Sequence, residues 1–169
     1  NGFPPNGDYY ICFRRHLSTS IPSLCLPDGF VVRQVEGEAD FQRIADGYSE
    51  RHTAQEWAQH TQGPCYVPEL HLVAVSPRGE FASRCICWLD DLDGTAVFEP
   101  VGTEPSYRRM GMAKAVMSEA LRRLRIFGAR EVLVSAYGTN KAAIGLYESV
   151  GFRMIGRELG FSKIINNVA

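Results

Sequence analysis

Three strand-like segments follow one another closely in the middle of the chain, and this succession constrains the fold more than any other feature. Residues 70–75, 82–89 and 95–102 are rich in β-branched, aromatic and other apolar residues, a composition typical of strands. Only Pro77-Arg78-Gly79 and the sequence DDLDG at 90–94 separate them, and such sequences form tight turns. Because tight turns join antiparallel neighbours, the pattern predicts an antiparallel meander.

Helical patterns alternate with strands after the meander. Between Pro105 and Gly128, apolar residues recur at three- and four-residue intervals, which predicts a long helix that packs on the sheet. The segments that follow predict a buried strand, a second helix and a pair of closing strands, at residues 131–136, 140–150 and 153–165. Connections from strand to helix to strand join parallel neighbours, so this half of the chain extends the sheet in a mixed arrangement.

The segment before the meander adds one strand and two modest helices, at residues 30–36, 39–48 and 54–60. A length of 169 residues fits one domain of ordinary size better than two. Together these patterns predict an α/β (α+β) fold, with a mixed, mostly antiparallel sheet of six to seven strands and helices on both faces.

The first 27 residues stand apart from this order. Residues 9–13 form a short strand-like run, and residues 18–27 have the Ser- and Pro-rich composition of a linker. Because the sheet is already complete between residues 30 and 165, we expect residues 1–27 to form an N-terminal extension with one strand and a linker, and residues 28–169 to form the main domain. The extra strand belongs either to an upstream domain or to an extension that packs along the sheet edge or pairs with a second copy in a homodimer.

Charge and cysteine content exclude several classes of function. The formal net charge is −1, which offers no overall positive field to attract nucleic acid or an anionic membrane, so we expect neither as a partner. The chain has five cysteines, and this odd number in a domain that can build a core indicates reduced thiols and a cytoplasmic location. The histidines and cysteines lack the spacing of zinc ligands, so we expect no metal.

The start of the long helix has the character of an anion site. The backbone N–H groups of a first helical turn have no partner within the helix, and Gly111 permits a ligand to approach the backbone closely. Arg108, Arg109 and Lys114 add positive charge there. This combination suits a pyrophosphate, although a helix with ordinary basic ends has the same composition. The chain contains neither G-x-G-x-x-G nor G-x-x-x-x-G-K-[ST], so dinucleotide and Walker-type sites are not predicted.

These residues resemble a family motif. Arg108-Arg109-Met110-Gly111-Met112-Ala113 is similar to the Q/R-x-x-G-x-G/A acetyl-CoA motif of the GNAT superfamily of N-acyltransferases. Downstream, Asn140, Ala143, Tyr147 and Gly151-Phe152 resemble the N-x-x-A-x-x-x-Y-x-x-x-G-F helix of that family. Ala113 replaces the commoner glycine, and Gly145 within the second helix is a less expected departure.

The resemblance extends over about residues 28–165 and implies the GNAT fold with acetyl-CoA (coenzyme A) as cofactor. The cofactor-binding residues that it implies are Val101, Thr103, Arg108, Arg109, Met110, Gly111, Met112, Ala113, Lys114, Asn140 and Ala143. Val101 and Thr103 correspond to residues whose backbone pairs with pantetheine, and Pro100 beside them favours an interrupted ladder. The extra strand and its Pro-rich linker resemble the end of an upstream unit in tandem GNAT proteins of the mycothiol-synthase type.

Two residues are candidates for the proton transfers of such a reaction. Asn140, Ala143 and Tyr147 share one helical face, and the family role of such a tyrosine is to protonate the departing CoA thiolate; the alternative is a core tyrosine. Glu99 lies two residues before Val101 and between Phe98 and Pro100, where partial desolvation raises a carboxyl pKa toward that of a useful base. A carboxylate that only holds a neighbouring group, with a water relay as the base, is the alternative.

Charge is segregated along the sequence. Residues 80–104 contain six acidic residues and one arginine, whereas residues 108–130 contain seven basic residues and one glutamate. This arrangement predicts a basic surface around the CoA phosphates and an acidic surface that meets the acceptor. Tyr66, Glu69 and Trp88 are candidate acceptor residues.

The sequence therefore predicts an acetyl-CoA-dependent N-acetyltransferase that acts on a primary amine, with a small cationic molecule as acceptor. The alternative is a non-catalytic acyl-CoA-binding GNAT module of a larger tandem protein. A nucleic-acid binder that uses the basic helix is disfavoured, because aromatic residues do not alternate with its basic ones.

Overall fold

The predicted meander forms the centre of a seven-stranded sheet in the computed structural model, which describes residues 4–47 and 53–162. The elements in chain order are β1 (Pro5–His16), β2 (Val31–Gln34), α1 (Gly37–Gly47), α2 (Ala54–His60), β3 (Tyr66–Val75), β4 (Phe81–Asp90), β5 (Thr95–Thr103), a 3-10 helix (Pro105–Tyr107), α3 (Met112–Ile126), β6 (Glu131–Tyr137), α4 (Lys141–Ser149) and β7 (Arg153–Phe161). The spatial order of the strands is β2-β3-β4-β5-β6-β1-β7. Within the described residues, only β5 and β6 pair in parallel, so the predicted mixed and mostly antiparallel fold is confirmed.

Helices cover both faces of the sheet. Leu72 and Ala74 of β3 belong to the main core, which also contains the buried side of α3. Val73 between them points to the opposite face and packs in a second cluster with Ile44 of α1. This alternation follows from the two-residue period of a strand. Five apolar residues of α3 that the spacing predicted to face the sheet are fully buried: Val116, Met117, Ala120, Leu121 and Leu124.

The position of β1 contradicts the prediction that the sheet is complete without it. β1 lies inside the sheet, antiparallel to β6 on one side and to β7 on the other. Phe13 and Leu17 are buried in the main core, and the guanidinium of Arg15 donates to the carbonyl oxygens of Val150 at 2.5 Å and Ser20 at 2.6 Å. The strand is therefore neither outside the sheet nor at its edge. The division at residues 27 and 28 and the upstream domain stay predictions.

Two other boundaries differ from the predicted ones. In place of two closing strands, the described residues 153–162 form one strand, which ends at Phe161, and the rest of the predicted range lies outside the described residues. The long helix starts at Met112 rather than soon after Pro105. Its start is delayed because Arg109 and Gly111 have left-handed backbone conformations, with φ of +65° and +84°, which a continuous right-handed helix does not accept.

Residues 4–47 and 53–162 contain neither a membrane-spanning helix nor a metal-binding cluster. No helix there is long and apolar enough to cross a membrane. The same residues contain no group of three or more His, Cys, Asp or Glu side chains arranged to hold a metal ion.

Candidate active site

The sheet opens between β5 and β6. These strands pair only over three residues each, from Thr95 to Val97 and from Glu131 to Leu133. β5 nevertheless continues to Thr103 in antiparallel pairing with β4. The two parallel strands therefore diverge beyond Val97, and the edge of β5 that faces β6 is released from the ladder.

The register of β5 changes at the same place. On β4, Cys85 and Cys87 are two residues apart, whereas their partners Val101 and Phe98 on β5 are three apart. One extra residue is thus accommodated around Glu99 and Pro100, which confirms the expected interruption of the ladder and bends the strand. The segment with the predicted pantetheine residues begins directly after this bulge.

The start of α3 lies next to the opening. Gly111 is the residue before the helix, and no side chain among the described residues caps this end. The amides of Met112, Ala113 and Lys114 belong to the first turn, where backbone N–H groups have no acceptor within the helix. The first turn contains no acidic residue. Free donors and the positive end of the helix dipole are therefore available to an anion at this point.

The opening and the helix start form one cleft with a volume of about 990 Å³. Its lining comes from β5 and the loop after it, from the start of α3, and from α4. A volume of this size lies at the upper end of the usual range for ligand sites, roughly 300 to 1,000 Å³.

Most of the predicted cofactor residues meet at this cleft. Those that line it are Val101, Thr103, Arg108, Arg109, Gly111, Met112, Ala113, Lys114, Asn140 and Ala143. Met110 is half-exposed and is not part of the lining; neither are Glu99 and Tyr147. The structure thus brings one continuous group of residues together and places the two candidate catalytic residues just beyond it.

Asn140 has a structural bond of its own. It is the residue before α4, and its side-chain oxygen accepts a hydrogen bond from the amide of Ala143 at 3.1 Å. This is the usual role of Asn at a helix start. Its side-chain nitrogen has no such bond among the described residues, so the residue can cap α4 and donate toward the cleft at the same time.

Tyr147 projects from α4 into the main core rather than into the cleft. Its ring is 6% exposed and packs against Phe13 and Phe152, with centroid distances of 5.8 and 6.2 Å. Burial, and next the negative charge of Glu99, raise the pKa of Tyr147 to about 12. Within residues 4–47 and 53–162, its hydroxyl makes no hydrogen bond. This position is compatible with a purely structural role in the core and also with a role as a proton donor.

Glu99 lies at the β5 bulge, where the opening between β5 and β6 connects the two faces of the sheet. Its strand neighbours Ala96 and Phe98 are buried in the main core, whereas Val97 and Glu99 are exposed on the other face. Desolvation by the surrounding protein raises the pKa of the Glu99 carboxyl. Its charge acts on Tyr147 from α4 and also on Tyr10 from the opposite face. Glu99 therefore stands where the divergence of β5 and β6 connects both sides of the sheet.

Two of the three candidate acceptor residues lie together near Glu99. The rings of Tyr66 and Trp88 are 5.9 Å apart, and the indole N–H of Trp88 donates to the carbonyl oxygen of Glu99 at 2.6 Å. Burial, and then the charge of Glu69, raise the pKa of Tyr66 to about 12. The backbone of Glu69 is held elsewhere, because its carbonyl oxygen accepts from Arg123 near the end of α3 at 2.9 Å.

The predicted basic surface is smaller than the sequence count indicated. Arg122, Arg123 and Arg125 lie roughly 15 to 20 Å along α3 from its start, at ~1.5 Å per residue. Arg122 and Arg125 bind carbonyl oxygens of the linker before β2, at Pro22 and Thr19. These arginines stabilise the fold instead of facing the anion site, so the expectation of a net +6 around it is wrong.

The predicted acidic surface is also divided. Glu80 lies at the start of β4, where its carboxylate accepts from the Tyr107 hydroxyl, whereas Asp90, Asp91 and Asp93 lie at or beyond the other end of that strand. Ten residues of strand separate the two groups by about 33 Å. Glu104 lines the cleft beside the basic residues, whereas Glu99 lies beside the opening between β5 and β6 and outside that lining.

Several lining residues were not predicted. They include Arg84, Lys141, Ala142, Gly145, Leu146 and Ser149. The α4 residues recur three and four positions apart, and the small ones among them were a readable sign of a helix face that leaves room for a ligand. Arg84 is 1% exposed, and a lone arginine within the apolar strand sequence FASRCICWL was an available signal as well.

Comparisons with known proteins agree with this geometry. The family described as "Acetyltransferase (GNAT) family" matches residues 35–152. A mycothiol acetyltransferase from Geodermatophilus obscurus is 30% identical over 149 residues, which cover 78% of this chain and 47% of the relative. The chain therefore spans about half the length of this curated relative.

Two solved structures share the fold. A GCN5-related N-acetyltransferase from Sphaerobacter thermophilus superposes with a TM-score of 0.79 at 23% identity, over 94% of this chain and 51% of that one. A tandem GNAT protein from the clavulanic acid biosynthesis pathway superposes with a TM-score of 0.72 at 13% identity, over 93% of this chain and 53% of that one.

Proposed function

The chain belongs to the acetyltransferase (GNAT) family, and from this premise we propose that it transfers an acetyl group from acetyl-CoA to a primary amine of a small cationic molecule. One observation carries the proposal: the divergence of β5 from β6 and the uncapped start of α3 line the same cleft. A released strand edge and a free helix start suit the two polar parts of one long thioester ligand.

The helix start fits the pyrophosphate of acetyl-CoA. Amides of the first turn of α3 supply directed donors, and Arg108, Arg109 and Lys114 supply positive charge around them. A Cβ atom on Gly111 would meet no atom of the described residues within 4 Å apart from its chain neighbours, so the space in front of this residue is open to a ligand. Met110 is a weaker part of the proposal because its side chain lies outside the lining.

The released edge of β5 fits the pantetheine arm. Val101 and Thr103 line the cleft at the part of β5 that has no pairing with β6. Backbone groups on a free strand edge hydrogen-bond to amides of an added strand, and pantetheine contains two amides. Ala143 and the side-chain nitrogen of Asn140 would border the arm from α4. Bound there, acetyl-CoA supplies the activated acetyl group.

Glu99 is the proposed base. An amine with a pKa near ~10.4 must lose a proton before it attacks, which costs ~4.6 kcal/mol at pH 7. The raised pKa of Glu99 makes its carboxylate a stronger proton acceptor than an ordinary glutamate. Its place at the junction of the faces allows it to take the proton directly or through a water relay.

Tyr147 is the proposed acid. Its pKa of about 12 keeps the hydroxyl protonated at neutral pH, and the hydroxyl has no competing bond within the described residues. It can therefore give its proton to the sulfur of the departing CoA thiolate, which leaves as the thiol. The ring of Tyr147 points into the core. We therefore expect the sulfur of the bound ligand to lie against α4, close to the hydroxyl, while the tyrosine side chain keeps its position.

The test is CoA release in the presence of a panel of small amines, followed with a thiol-reactive dye. Cys25 is exposed, so a Cys25→Ser form and a blank without acetyl-CoA are needed to remove the background from the protein. Release that depends on an amine supports the proposal. Stable binding of acetyl-CoA without release, across the panel, would contradict it and favour the non-catalytic acyl-CoA-binding module.

A further inference from the structure

The strand β1 adds a surface that the proposed function does not yet use. In the register of the sheet, Tyr10 lies opposite Tyr137 of β6 on one side and Glu158 of β7 on the other. The three side chains thus form one row across three strands. They lie on the face opposite the main core, because the neighbouring Ile11 and Phe13 pack into that core. We call Tyr10, Tyr137 and Glu158 the tyrosine patch.

The two rings of the tyrosine patch are close and accessible. Their centroids are 4.3 Å apart with an angle of 33° between the planes. Tyr137 is 53% exposed, Tyr10 is half-buried and Glu158 is exposed. The Glu158 carboxylate accepts from the Cys12 thiol at 3.2 Å. One exposed and one half-buried aromatic ring beside a carboxylate form a combination that attracts an organic cation.

The charge around the tyrosine patch is negative. The hydroxyl of Tyr137, then desolvation and the charges of Asp8 and Glu99, raise the pKa of Tyr10 to about 12. On this face of β1 the first cation is Arg14, four residues or about 13 Å along the strand. Arg14 is itself 3.8 Å from Glu131. A cation at the tyrosine patch would meet carboxylates from three strands.

Glu99 connects the tyrosine patch to the opening between β5 and β6. Its charge acts on Tyr10 on this face and on Tyr147 on the other. Glu99 and Tyr137 lie on the neighbouring strands β5 and β6, beyond their last pair, and both are exposed on the face opposite the main core. A molecule that places one amine at Glu99 can therefore extend over β6 toward the tyrosine patch.

We propose that the tyrosine patch binds a second positive charge of the acceptor, and so selects acceptors that carry a cation besides the reacting amine. The proposal rests on the proposed function, because it assumes that the reacting amine lies at Glu99. The reacting amine must be neutral when it attacks, whereas a second ammonium group stays charged and retains its attraction to the rings and to Glu158. Discrimination therefore depends on the group that does not react.

The experiment compares 1,4-diaminobutane with 1-aminobutane, which has the same reacting amine and lacks the second charge. Turnover with acetyl-CoA is measured together with direct binding of each amine by saturation-transfer NMR. For the unmodified protein we expect the diamine to have the lower KM and the tighter binding. Tyr10→Leu should reduce this preference by about 3- to 10-fold, with little change in kcat or in the KM for acetyl-CoA. Glu158→Gln should act in the same direction.

Two further variants keep the interpretation specific. Tyr10→Phe retains the ring and should retain most of the preference. Tyr9→Leu removes a ring one residue earlier on the other face, where Tyr9 packs beside Arg157, and should leave the preference unchanged. Equal binding of both amines by the unmodified protein, or an unchanged preference in Tyr10→Leu, overturns the proposal. Failure of every amine to release CoA counts against the proposed function, whereas the NMR comparison still decides the role of the patch.

Discussion

Gly111 and Gly128 flank the same helix in nearly the same backbone conformation, with φ of +84° and +83°. In the described part of the chain, a Cβ atom at either position would meet no atom within 4 Å apart from the adjacent residues. Of the two, Gly111 lines the cleft, whereas Gly128 lies beyond the other end of the 15-residue helix α3, about 25 Å away. The two glycines thus differ in access to the proposed pyrophosphate site and hardly at all in their conformational demands.

This pair provides a matched test of the anion site. Gly111→Val and Gly128→Val impose a similar backbone strain, of order 1–3 kcal/mol, so both variants should lose a similar part of their stability. Only Gly111→Val should weaken acetyl-CoA binding, because its side chain occupies the space in front of the first-turn amides. Thermal-shift titration measures both effects, and ligand at 100 times its dissociation constant stabilises an unhindered protein by ~2.7 kcal/mol. Equal responses of the two variants to acetyl-CoA would show that the ligand does not bind here.

The local elements of the fold were predictable because their signals lie within short stretches. Turn sequences defined the meander, and the buried residues of α3 followed from helical spacing. The place of β1 was not predictable in this way. Its partners β6 and β7 lie more than 100 residues further along the chain, and a local sequence pattern does not reveal that β6 and β7 pair with a third strand between them.

The site residues that are close in sequence were also predictable, whereas those that depend on contacts between distant segments were not. The residues of a contiguous motif, from Arg108 to Lys114, could be assigned together because they share one turn and one helix start. Charge counting failed, because it assigned Arg122 and Arg125 to the ligand without knowing that linker carbonyls already bind them. The position of Tyr147 beyond the lining depends on which side of α4 faces Phe13, and that contact exists only because β1 lies in the sheet.

The raised pKa of Glu99 predicts a pH-dependent rate. The carboxylate is the form that accepts a proton, so turnover should fall as the pH drops through a value above the ordinary pKa of glutamate. Glu99→Gln should lower kcat/KM by about 10²- to 10⁴-fold near neutral pH. The loss of kcat/KM in Glu99→Gln should become smaller as the pH approaches the pKa of the acceptor amine, because the amine is then neutral without a base. A loss that is constant across pH would contradict the role of Glu99 as a base.

The same pKa shift predicts an effect on stability with a defined sign. A carboxyl whose pKa is higher in the folded state binds protons more tightly there, so the free energy of unfolding falls as the pH rises from the unfolded-state pKa to the folded-state value. Glu99→Gln removes this slope and should gain stability relative to the unmodified protein between acid and neutral pH. Urea unfolding of both proteins at an acid and at a neutral pH measures the difference in their free energies of unfolding. A relative loss of stability at neutral pH would mean that ionised Glu99 has a stabilising partner.

Gly145 predicts a separation of stability from binding. It lies within α4 and is exposed. A Cβ atom there would meet no atom of residues 4–47 and 53–162 within 4 Å apart from its chain neighbours and the backbone of its own helix. Gly145→Ala should therefore stabilise the fold by about 0.5–1 kcal/mol. Gly145→Leu should instead raise the KM for acetyl-CoA, because Gly145 lines the cleft. Glu148→Leu, on the same helix and outside the lining, is the bulk control. If both leucine variants changed the KM equally, α4 would not border the bound ligand at Gly145.

Tyr147→Phe tests the proposed acid. The tyrosine hydroxyl has no hydrogen bond within the described residues, so its removal should leave the melting temperature nearly unchanged, while the ring contacts with Phe13 and Phe152 remain. We expect kcat to fall by about 10²- to 10⁴-fold with little change in acetyl-CoA affinity. Because the pKa of Tyr147 is about 12, the hydroxyl is protonated throughout a pH range of roughly 6 to 9. The ratio of the kcat of the unmodified protein to that of Tyr147→Phe should therefore be constant there.

Tyr9→Phe makes the same chemical change outside the site and should keep full activity. If Tyr147→Phe also kept full turnover, the core reading of this tyrosine would be correct and another donor would protonate the thiolate.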